Sequence, residues 1–422
     1  MSDQQAGMAS QAHQPFADKL ARAKAKGVTL ATRIHLPEAA AASFRLDGVE
    51  RALRRLDIPV RVLTSQPPAD GPKPEDPQGV SVSRWPVLRD KSGYLRGYVP
   101  YMSFDLPLFG RLLAAKKPAV LLVEPPPTTG VVVRAVTTLR RIPYVWYAPD
   151  VWSDATVSTG VSPAVAKAVQ LMESFAMRGA KAVIAVNDGV AIRARQLGAR
   201  RVEVVNNGID TDRFTPVSGH IGAVHGVTGP YFIYAGTASE WQGADIFMEA
   251  FKQVRAQVPQ AQLVFIGKGS HWPVLTELAE QINDACSAQT PAALVLPPQD
   301  PRSAAAWQSD AVAALVSIKP GQGYDFAYPT KVLSALACAT PVIYAGLGPV
   351  VKEVRSQDLG WAVDYRVDEV AQAMLAALKR AQSPHTPKWR QQLRKWVVEN
   401  RSQRAAADAV ARVIVDVIRC DC

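Results

Sequence analysis

The chain alternates short apolar runs with amphipathic stretches, and this pattern constrains its fold more than any other feature. Apolar runs at 28–32 and 60–64 flank an amphipathic stretch at 43–56, and further runs follow at 119–124 and 144–148. Such alternation is typical of strand–helix units that build a parallel sheet covered by helices. We therefore predict a doubly wound α/β fold.

The alternation is interrupted once. A turn-rich segment at 206–216 comes before a second series, which begins at 231–235. A chain of 422 residues is also too long for a single hydrophobic core. We predict five parts, namely a mobile tail at 1–26, a Rossmann-like domain at 27–215, a linker at 216–229, a second Rossmann-like domain at 230–386 and C-terminal helices at 387–422. Two such domains are expected to hold a ligand between them, beyond the carboxyl ends of their strands.

Composition narrows the class of protein. The sequence has no run of 18 apolar residues that would predict a membrane-spanning helix, and residues 1–26 lack the apolar core of a secretion signal. Apart from the terminal Cys-Asp-Cys, the four cysteines lack the spacing of a zinc or disulfide framework. These features predict a cytoplasmic protein.

The positive charge is concentrated in the first half of the chain. Residues 1–210 hold 28 of the 48 Lys and Arg residues and 18 of the 37 Asp and Glu residues, so +10 of the net +11 lies there. A basic surface attracts anionic lipid headgroups, acidic substrates or nucleic acid, although it can also serve solubility alone. The sequence lacks an aromatic and basic platform for nucleic acid, so no nucleic-acid partner is predicted. We predict peripheral contact with the anionic inner face of a membrane.

The segment 321–331 has the sequence Gly-Gln-Gly-Tyr-Asp-Phe-Ala-Tyr-Pro-Thr-Lys, which predicts a loop and then a helix start. Pro329 suits the first helical turn, where its missing N–H costs nothing. The N–H groups of Thr330, Lys331 and Val332 would then lack intrahelical partners, and Lys331 adds a positive charge. Free N–H groups at a helix start bind anions, so this segment predicts a diphosphate site. The alternative is an ordinary helix start with a solvated lysine.

Two other strand ends of the second domain carry candidate donor-site residues. Gly236 would let the backbone approach a ligand, and Thr237 and Gln242 can hydrogen-bond phosphate oxygens. A capped helix start is the alternative there. Gly267 and Lys268 belong to a Gly-Lys-Gly turn between a strand and a helix, a context that suits a nucleotide but is also common turn chemistry.

Candidate residues of the first domain also follow its predicted strands. Asp150 follows the fourth strand and can bind acceptor hydroxyls or stabilise positive charge that develops on a sugar. Arg33, His35 and Arg45 surround the first strand–helix connection, and Glu124 ends the third strand. We predict that these four residues lie on the acceptor side of the site. Turn formation and helix capping are the alternatives for the acidic residues.

Several other enzyme classes lack support in the sequence. Six scattered histidines and the lack of an Asp-x-Asp pair at a predicted strand end predict no metal site. No Gly-x-Ser-x-Gly elbow suggests hydrolysis. A dinucleotide fingerprint, expected after the first strand of a Rossmann dehydrogenase, is also missing.

Several spaced pieces occur in an order that is known from one family. They are Asn207-Gly-Ile-Asp, Tyr234-Ala-Gly-Thr, Phe265-Ile-Gly-Lys-Gly, Tyr328-Pro-Thr-Lys and Ala337-Cys-Ala-Thr-Pro-Val. No single piece is specific, but with this order and spacing the chain resembles the retaining sugar-nucleotide glycosyltransferases of family 4, which have the GT-B fold. The resemblance covers most of residues 28–415.

The resemblance implies two Rossmann-like doubly wound domains with a cleft between them. A C-terminal helix would cross back onto the first domain, where Trp389, Trp396 and Val398 would pack. The implied reaction moves a sugar from a nucleoside-diphosphate sugar to an acceptor, with retained configuration and with no obligatory metal or other cofactor. The second domain would hold the donor. The first would hold the acceptor, a glycan or lipid-linked intermediate of cell-envelope synthesis, as in hexosyltransferases.

The chain departs from the family pattern at its charged positions. Members carry two glutamates eight positions apart, where Phe326 and Ser334 stand here. Asp325, one position before the first of these, is a candidate replacement. Members also carry Arg and Lys after the first strand of the second domain, where this chain has Thr237 and Gln242.

A subset of the family starts the corresponding helix with Pro-x-Lys, and this chain is similar to that subset. We therefore predict catalytic roles for Lys331, Asp325 and Asp150, and donor contacts for Tyr328, Pro329 and Thr330 as well. A fixed cation and helix N–H groups act where charge develops on the leaving diphosphate. The missing glutamates keep open a catalytically silent GT-B scaffold or partner protein, and a sugar-nucleotide epimerase or a phosphorylase is a further alternative.

Overall fold

The computed structural model describes residues 16–38, 40–68, 76–90, 95, 97–154, 162–219, 221–286, 290–322, 324–325 and 327–419. The chain divides into two compact units, one of Met1–Asn207 with Gln403–Cys422 and one of Gly208–Ser402. Most of the predicted tail, 1–15, lies outside the described residues, and 16–26 forms helix α1.

The first unit contains a seven-stranded parallel sheet. Its strands are β1 Val28–Ala31, β2 Val60–Ser65, β3 Val80–Trp85, β4 Val120–Val123, β5 Tyr144–Ala148, β6 Ala182–Ala185 and β7 Val202–Val204. They lie in the order β3-β2-β1-β4-β5-β6-β7. The strand order reverses between β1 and β4, so the loops after these strands diverge and leave room for a ligand.

Helices cover both faces of this sheet. They are α2 Ala41–Arg55, α3 Tyr98–Ala114, α4 Pro127–Arg140, α5 Pro163–Gly179 and α6 Asp188–Gln196. One apolar layer contains Leu30 and Leu122, and the opposite layer contains Leu121 and Trp146. The central strands are buried along their whole length, which explains why they are continuous apolar runs in the sequence.

Strand β3 is not predicted by an apolar run. It lies at the edge of the sheet, and its residues are exposed or only partly buried. Polar residues are tolerated at such positions, so the sequence Val-Ser-Val-Ser-Arg-Trp lacks the apolar run that marks the central strands.

The second unit contains a six-stranded parallel sheet. Its strands are β8 Tyr231–Thr237, β9 Gln262–Lys268, β10 Ala293–Leu296, β11 Ala313–Ser317, β12 Val342–Ala345 and β13 Gly360–Val363. They lie in the order β10-β9-β8-β11-β12-β13, with a reversal between β8 and β11. Its helices are α7 Asp245–Gln257, α8 Trp272–Asp284, α9 Pro301–Asp310, α10 Thr330–Ala337, α11 Pro349–Ser356, α12 Val367–Ala381 and α13 Thr386–Asn400. These two sheets confirm the predicted α/β class.

The segment predicted as a linker belongs to the second unit. Val227 is buried in the same apolar cluster as Trp307. The Gln262 side chain accepts hydrogen bonds from the N–H groups of Thr228 and Gly229, at 2.8 Å and 2.9 Å. Gly222 and Gly229 pack closely there, since a Cβ added to either would lie within 3.0 Å of a neighbouring atom. The chain enters the second unit at Gly208.

The C-terminal helices belong to different units. Helix α14, Gln403–Asp416, packs on α2 of the first unit. Helix α13 packs in the second unit, where Trp389 is buried near Trp361 and donates through its ring N–H to Asp358 O at 2.7 Å. Trp396 packs against the same apolar cluster, so the prediction that Trp389 and Trp396 pack on the first domain is wrong, and Val398 is exposed rather than packed. Both helices are amphipathic, so their apolar faces alone do not reveal which sheet each one covers.

None of the helices in the described ranges is both long enough and apolar enough to cross a membrane.

Candidate functional site

Lys331 lies across the backbone of Gly236 at the carboxyl edge of the second sheet. Gly236 belongs to the end of β8 and has a φ of +130°, while Lys331 lies in the first turn of α10. A Cβ added at Gly236 would lie 2.9 Å from Lys331 Cε and 3.5 Å from its Cγ. The space for the lysine side chain therefore depends on a residue without a side chain. The structure thus brings together two residues that were predicted for the donor site.

The Lys331 ammonium group lacks a counter-ion among the residues that the structure describes. Its Nζ lies 5.1 Å from the centroid of the Tyr234 ring and has no hydrogen bond or ion pair with any residue that the structure describes. Burial lowers the pKa of Lys331 to about 8. An anion at Nζ would restore the electrostatic stabilisation that desolvation removes, so this lysine is suited to bind one.

The start of helix α10 differs slightly from the prediction. Pro329 is the residue before the helix rather than part of its first turn, and Thr330 is the first helical residue. The Val332 N–H donates to Pro329 O at 3.1 Å, so it is not free. The N–H groups of Thr330 and Lys331 have no partner among the described residues. Two free N–H groups, rather than three, accompany the lysine.

The ends of β8 and β9 pack closely. Gly236 pairs with Gly267, and Thr237 pairs with Lys268. A Cβ at Gly267 would overlap the Gly236 carbonyl oxygen, so this glycine is required by strand packing. The side chains of Thr237, Lys268 and, at the α10 start, Thr330 are exposed. They remain available to a ligand at this edge.

Gln242 has a local structural role. Its Oε1 accepts a hydrogen bond from the Ser239 N–H at 2.9 Å, and the side chain is buried. This is a capping box, the alternative that the sequence also allowed at this turn. The neighbouring Trp241 stacks on Tyr324, with ring centroids 4.3 Å apart, so an aromatic pair stands beside the same turn.

Asp325 and Tyr328 bind their own surroundings. Asp325 Oδ2 accepts a hydrogen bond from the Gly321 N–H at 3.2 Å, while its buried Oδ1 has no partner. The Tyr328 ring lies 4.8 Å from the Arg401 guanidinium carbon, and Arg401 is paired with Glu353 at 2.6 Å. Tyr328 therefore stabilises the end of α13, whereas Asp325 has one carboxylate oxygen left to use. Phe326 lies outside the described residues.

A pocket of about 180 Å³ lies at the carboxyl edge of the first sheet. It is lined by the loops after β1, β4 and β5 and by the start of α2, with the residues Thr32, Arg33, Ile34, Ala42, Arg45, Glu124, Pro125, Pro149, Asp150 and Trp152. Four predicted residues, Arg33, Arg45, Glu124 and Asp150, thus meet at one pocket. His35 is not among its lining residues.

Arg45 and Glu124 form a buried ion pair in this pocket. Arg45 Nε and Nη2 donate to Glu124 Oε1 at 3.0 Å and 2.7 Å. Burial raises the pKa of Glu124, and Arg45 opposes that rise. Partial desolvation also raises the pKa of the neighbouring Asp150, again against the effect of Arg45. Asp150 is exposed and accessible to an acceptor hydroxyl.

His35 stabilises the loop after β1. Its Nε2 lies 2.8 Å from Glu50 Oε1 and its Nδ1 lies 3.0 Å from Leu36 O. The His35 and Glu50 side chains are almost fully buried. His35 thus fixes the loop that carries Arg33.

The structure also reveals polar residues that the sequence interpretation missed. Asp105 in α3 accepts a hydrogen bond from the Thr129 hydroxyl at 2.5 Å. Glu173 in α5 accepts from the N–H groups of Trp152 and Ser153, at 2.9 Å and 3.0 Å, and thereby fixes the loop after Asp150. Each of these acids is surrounded in the sequence by apolar residues of its helix, a pattern that predicts a buried, hydrogen-bonded carboxylate. The sequence does not indicate which residues are the hydrogen-bond partners.

Within the part of the chain that the structure describes, no group of three or more His, Cys, Asp or Glu residues is placed to hold a metal ion.

Two family models match the chain, one in each unit. A glycosyl transferase 4-like domain matches residues 41–208, and the model described as glycosyl transferases group 1 matches residues 229–380. Among curated relatives, a D-inositol 3-phosphate glycosyltransferase of Jonesia denitrificans is 28% identical over 261 residues, which cover 55% of this chain and 60% of the relative. That of Rhodococcus opacus is 27% identical over 259 residues, covering 54% and 55%. The chain thus spans somewhat over half the length of these relatives.

Solved structures share the fold at low sequence identity. A glycosyltransferase of Rickettsia africae has a TM-score of 0.64 at 12% identity and covers 93% of this chain and 99% of its own. HepE of Anabaena, solved in complex with UDP, has a TM-score of 0.62 at 15% identity, with coverage of 92% and 99%. WaaG, a glycosyltransferase involved in lipopolysaccharide biosynthesis, has a TM-score of 0.59 at 14% identity, also with coverage of 92% and 99%. The fold matches theirs, the family models cover both units, and the chain belongs to the GT-B glycosyltransferases of group 1.

Proposed function

We propose that this protein transfers a sugar from a nucleoside-diphosphate sugar to an acceptor hydroxyl, with retained configuration and without a metal ion. The observation that carries the proposal is the Lys331 ammonium group, which lies across Gly236 without a counter-ion among the described residues. HepE of Anabaena has been solved with UDP and with UDP-glucose. Uridine nucleotides are therefore the first donors to test.

The donor diphosphate would bind at the edge formed by β8 and α10. Lys331 would neutralise part of its charge, the N–H groups of Thr330 and Lys331 would donate to its oxygens, and the exposed Thr237 hydroxyl would add a contact. In the reaction, the bond between the anomeric carbon and the diphosphate breaks and a bond to the acceptor oxygen forms. The acceptor proton leaves with the diphosphate. Lys331 stands where the negative charge develops, which is the role that a metal ion has in other transferases.

The acceptor would bind in the pocket of the first unit. The exposed Asp150 carboxylate is suited to accept a hydrogen bond from the reacting hydroxyl, and the Arg45–Glu124 pair fixes the pocket wall beside it. The curated relatives are named for inositol 3-phosphate, so phosphorylated cyclic alcohols belong among the acceptors to test. Glycans and lipid-linked intermediates are the other class.

Nucleotide binding is the direct test of the donor site. UDP, GDP and ADP are titrated against the protein by calorimetry and thermal shift. One of them should stabilise the protein, and Lys331→Ala should weaken its binding by at least about tenfold, the loss expected for one charge-assisted contact. Lys252→Ala, which removes an exposed lysine of the same unit, is the matched control. No stabilisation by any nucleotide at millimolar concentration contradicts the proposal.

Transfer itself needs a separate assay. Labelled donors are incubated with the full-length protein and with membrane or cell extract as the source of acceptors. A transferred label and released nucleoside diphosphate support the proposal. A nucleotide that binds without any turnover would favour a silent scaffold, and an isomerised donor sugar in the absence of acceptor would favour an epimerase.

We also propose that helix α3 contacts an anionic membrane. Val99, Leu106, Phe109 and Leu113 recur at helical spacing and are exposed, Leu106 by 65%. The two charged residues of α3, Asp105 and Arg111, are buried, so its solvent-exposed face has no charge. An uncharged apolar face on the surface of a helix is typical of an interaction surface.

The charges around α3 favour lipid over a neutral partner. Lys116 and Lys117 follow the helix and are exposed, and Arg141 is exposed at the end of the adjacent α4. Each such cation contributes about 1 kcal/mol near an anionic leaflet. Flotation with vesicles should show binding that requires anionic lipid and is lost in a Leu106→Asp, Phe109→Asp variant. Leu171→Asp, at an exposed site on α5, is the control. Vesicle binding that does not depend on lipid charge, or that persists in the α3 variant, contradicts the proposed membrane contact.

A further inference from the structure

Arg33 is a buried cation with unsatisfied hydrogen-bond donors. Its residue exposure is 8%, and its Nε and Nη1 have no hydrogen-bond partner among the residues that the structure describes. The guanidinium carbon lies 4.1 Å from the centroid of the Tyr101 ring and 5.8 Å from that of Trp152. Ring contacts compensate part of the positive charge, but they leave the N–H groups unpaired. Buried donors without a partner are rare in native structures, and a bound ion, a water molecule or a catalytic role can account for them.

The carboxylates near Arg33 are already engaged elsewhere. Glu124 is held by Arg45 at 2.7 Å, and Asp105 Oδ1 accepts from the Thr129 hydroxyl. No ion pair joins Arg33 to a carboxylate among the described residues. Burial lowers the pKa of Arg33, while Tyr101, Asp105 and Glu124 act in the opposite direction. Tyr101 therefore provides the close compensation for this charge, and no carboxylate among the described residues pairs with it.

Arg33 also lines the pocket that holds Asp150. The volume of about 180 Å³ corresponds to roughly six water molecules. The pocket therefore has room for a phosphate or carboxylate together with part of the alcohol that carries it. A guanidinium group binds such anions through charge-assisted N–H donors, and Nε and Nη1 of Arg33 have no partner among the described residues.

We propose that the acceptor carries a phosphate or carboxylate group, and that this group binds Arg33 in the pocket of the first unit. Arg33 then determines acceptor specificity, because it orients the acceptor while a hydroxyl of the same molecule lies at Asp150. The inference rests on the proposed glycosyltransferase function and narrows its acceptor to an anionic alcohol. It does not depend on which nucleotide the second unit binds.

A structural ion pair is the competing explanation. Asp105 Oδ2 also lacks a hydrogen-bond partner, so a modest side-chain movement could join it to Arg33. In that case, removal of either residue would destabilise the first unit and no anion would respond to Arg33. The two explanations therefore differ in a measurable way.

The test uses inorganic phosphate as the probe and the full-length Lys331→Met protein as the background. That background lacks the Lys331 ammonium group, so a phosphate response is not due to binding at the proposed donor site. Phosphate is titrated by thermal shift at constant ionic strength, with sulfate-free chloride buffer as the reference. We expect saturable stabilisation that weakens at least about tenfold in Arg33→Gln and less in Arg33→Lys, which keeps the charge. Arg51→Gln, at an exposed position of α2, should leave it unchanged.

Failure of this inference is distinguishable from failure of the glycosyltransferase proposal. With Lys331 present, nucleotide binding by Arg33→Lys should equal that of the unsubstituted protein. Once a transfer reaction is found, Arg33→Lys should raise the KM of an anionic acceptor and leave the donor KM unchanged. The inference is overturned if Arg33→Gln and Arg33→Lys leave the phosphate response intact. It is also overturned if Arg33→Gln and Asp105→Asn lose stability and no phosphate response is observed.

Discussion

The pocket of the first unit and the edge of the second unit use cations differently. In the pocket of the first unit Arg45 is paired with the buried Glu124, whereas Nε and Nη1 of Arg33 have no partner among the described residues. At the edge of the second unit the Lys331 ammonium group lies near the Tyr234 ring and the Gly236 backbone, without a carboxylate partner among the described residues. The pocket thus neutralises one of its two cations within the folded chain, whereas the edge leaves the Lys331 charge to a ligand.

This difference has a consequence for stability. Breaking a buried pair leaves an uncompensated charge and costs free energy, whereas removing an unpaired half-buried charge relieves a desolvation cost. Glu124 and Lys331 are thus expected to affect the free energy of unfolding in opposite directions. The predictions below test that contrast.

The largest expected effect is at Glu124. Glu124→Gln keeps the shape but leaves the Arg45 charge without a carboxylate, and we expect a loss of about 3 kcal/mol in the free energy of unfolding. Urea denaturation measures it. Asp154→Asn, which breaks an exposed pair with Arg193, is the matched control and should change stability by less than about 1 kcal/mol. Equal effects of the two substitutions would remove the distinction between buried and exposed pairs here.

Lys331→Met should have the opposite effect on stability. Burial lowers the pKa of Lys331 from 10.5 to about 8, so the charged form that predominates at neutral pH is less stable in the folded protein than in the unfolded chain. Removal of the charge should stabilise the protein by about 1–2 kcal/mol, allowing for its contact with solvent. The same variant should lose its response to nucleotide. A destabilised Lys331→Met protein would show that the lysine is compensated within the chain.

Gly236→Ala tests whether the position of the Lys331 side chain depends on the missing Cβ at residue 236. The new Cβ would lie 2.9 Å from Lys331 Cε and displace the ammonium group, so the nucleotide Kd should rise by roughly tenfold. Gly219→Ala has a similar backbone strain, at a φ of +142° against +130°, but no atom lies within 4 Å of its Cβ. Calorimetry on both variants separates strain from displacement, since only the first should lose affinity.

The smallest effect is a pH dependence of nucleotide binding. A bound diphosphate stabilises the ammonium form, so the pKa of Lys331 rises from about 8 in the free protein to a higher value in the complex. Between these two values the complex holds more protons than the free protein, and affinity should fall as pH rises above 8, by up to about tenfold per unit. Below pH 8 this group should cause no change. Calorimetry on Lys331→Arg, which stays charged, should give a flat profile above pH 8.

Much of the donor edge was predictable from sequence because it is local. The sequence Tyr-Pro-Thr-Lys indicated a helix start, and the glycine at the end of β8 indicated a strand end that a ligand can approach. The fold placed Lys331 across Gly236. Gln242 and Tyr328 were less predictable. A capping box and a packing contact with Arg401 use the same residue types as a nucleotide site, so their chemistry alone does not distinguish the two roles.

The sequence by itself determined the α/β class and the family, because buried parallel strands must be continuous apolar runs and helix starts require particular residues. Only the tertiary structure decided which charges are paired. Arg45 and Glu124 are far apart in the chain, as are Arg33 and Tyr101, and Lys331 and Gly236. The strand order brings the two members of each pair together. The energy of a charged group depends on its neighbours in space, so the sequence named the cations while the fold determined which of them remain unpaired for a ligand.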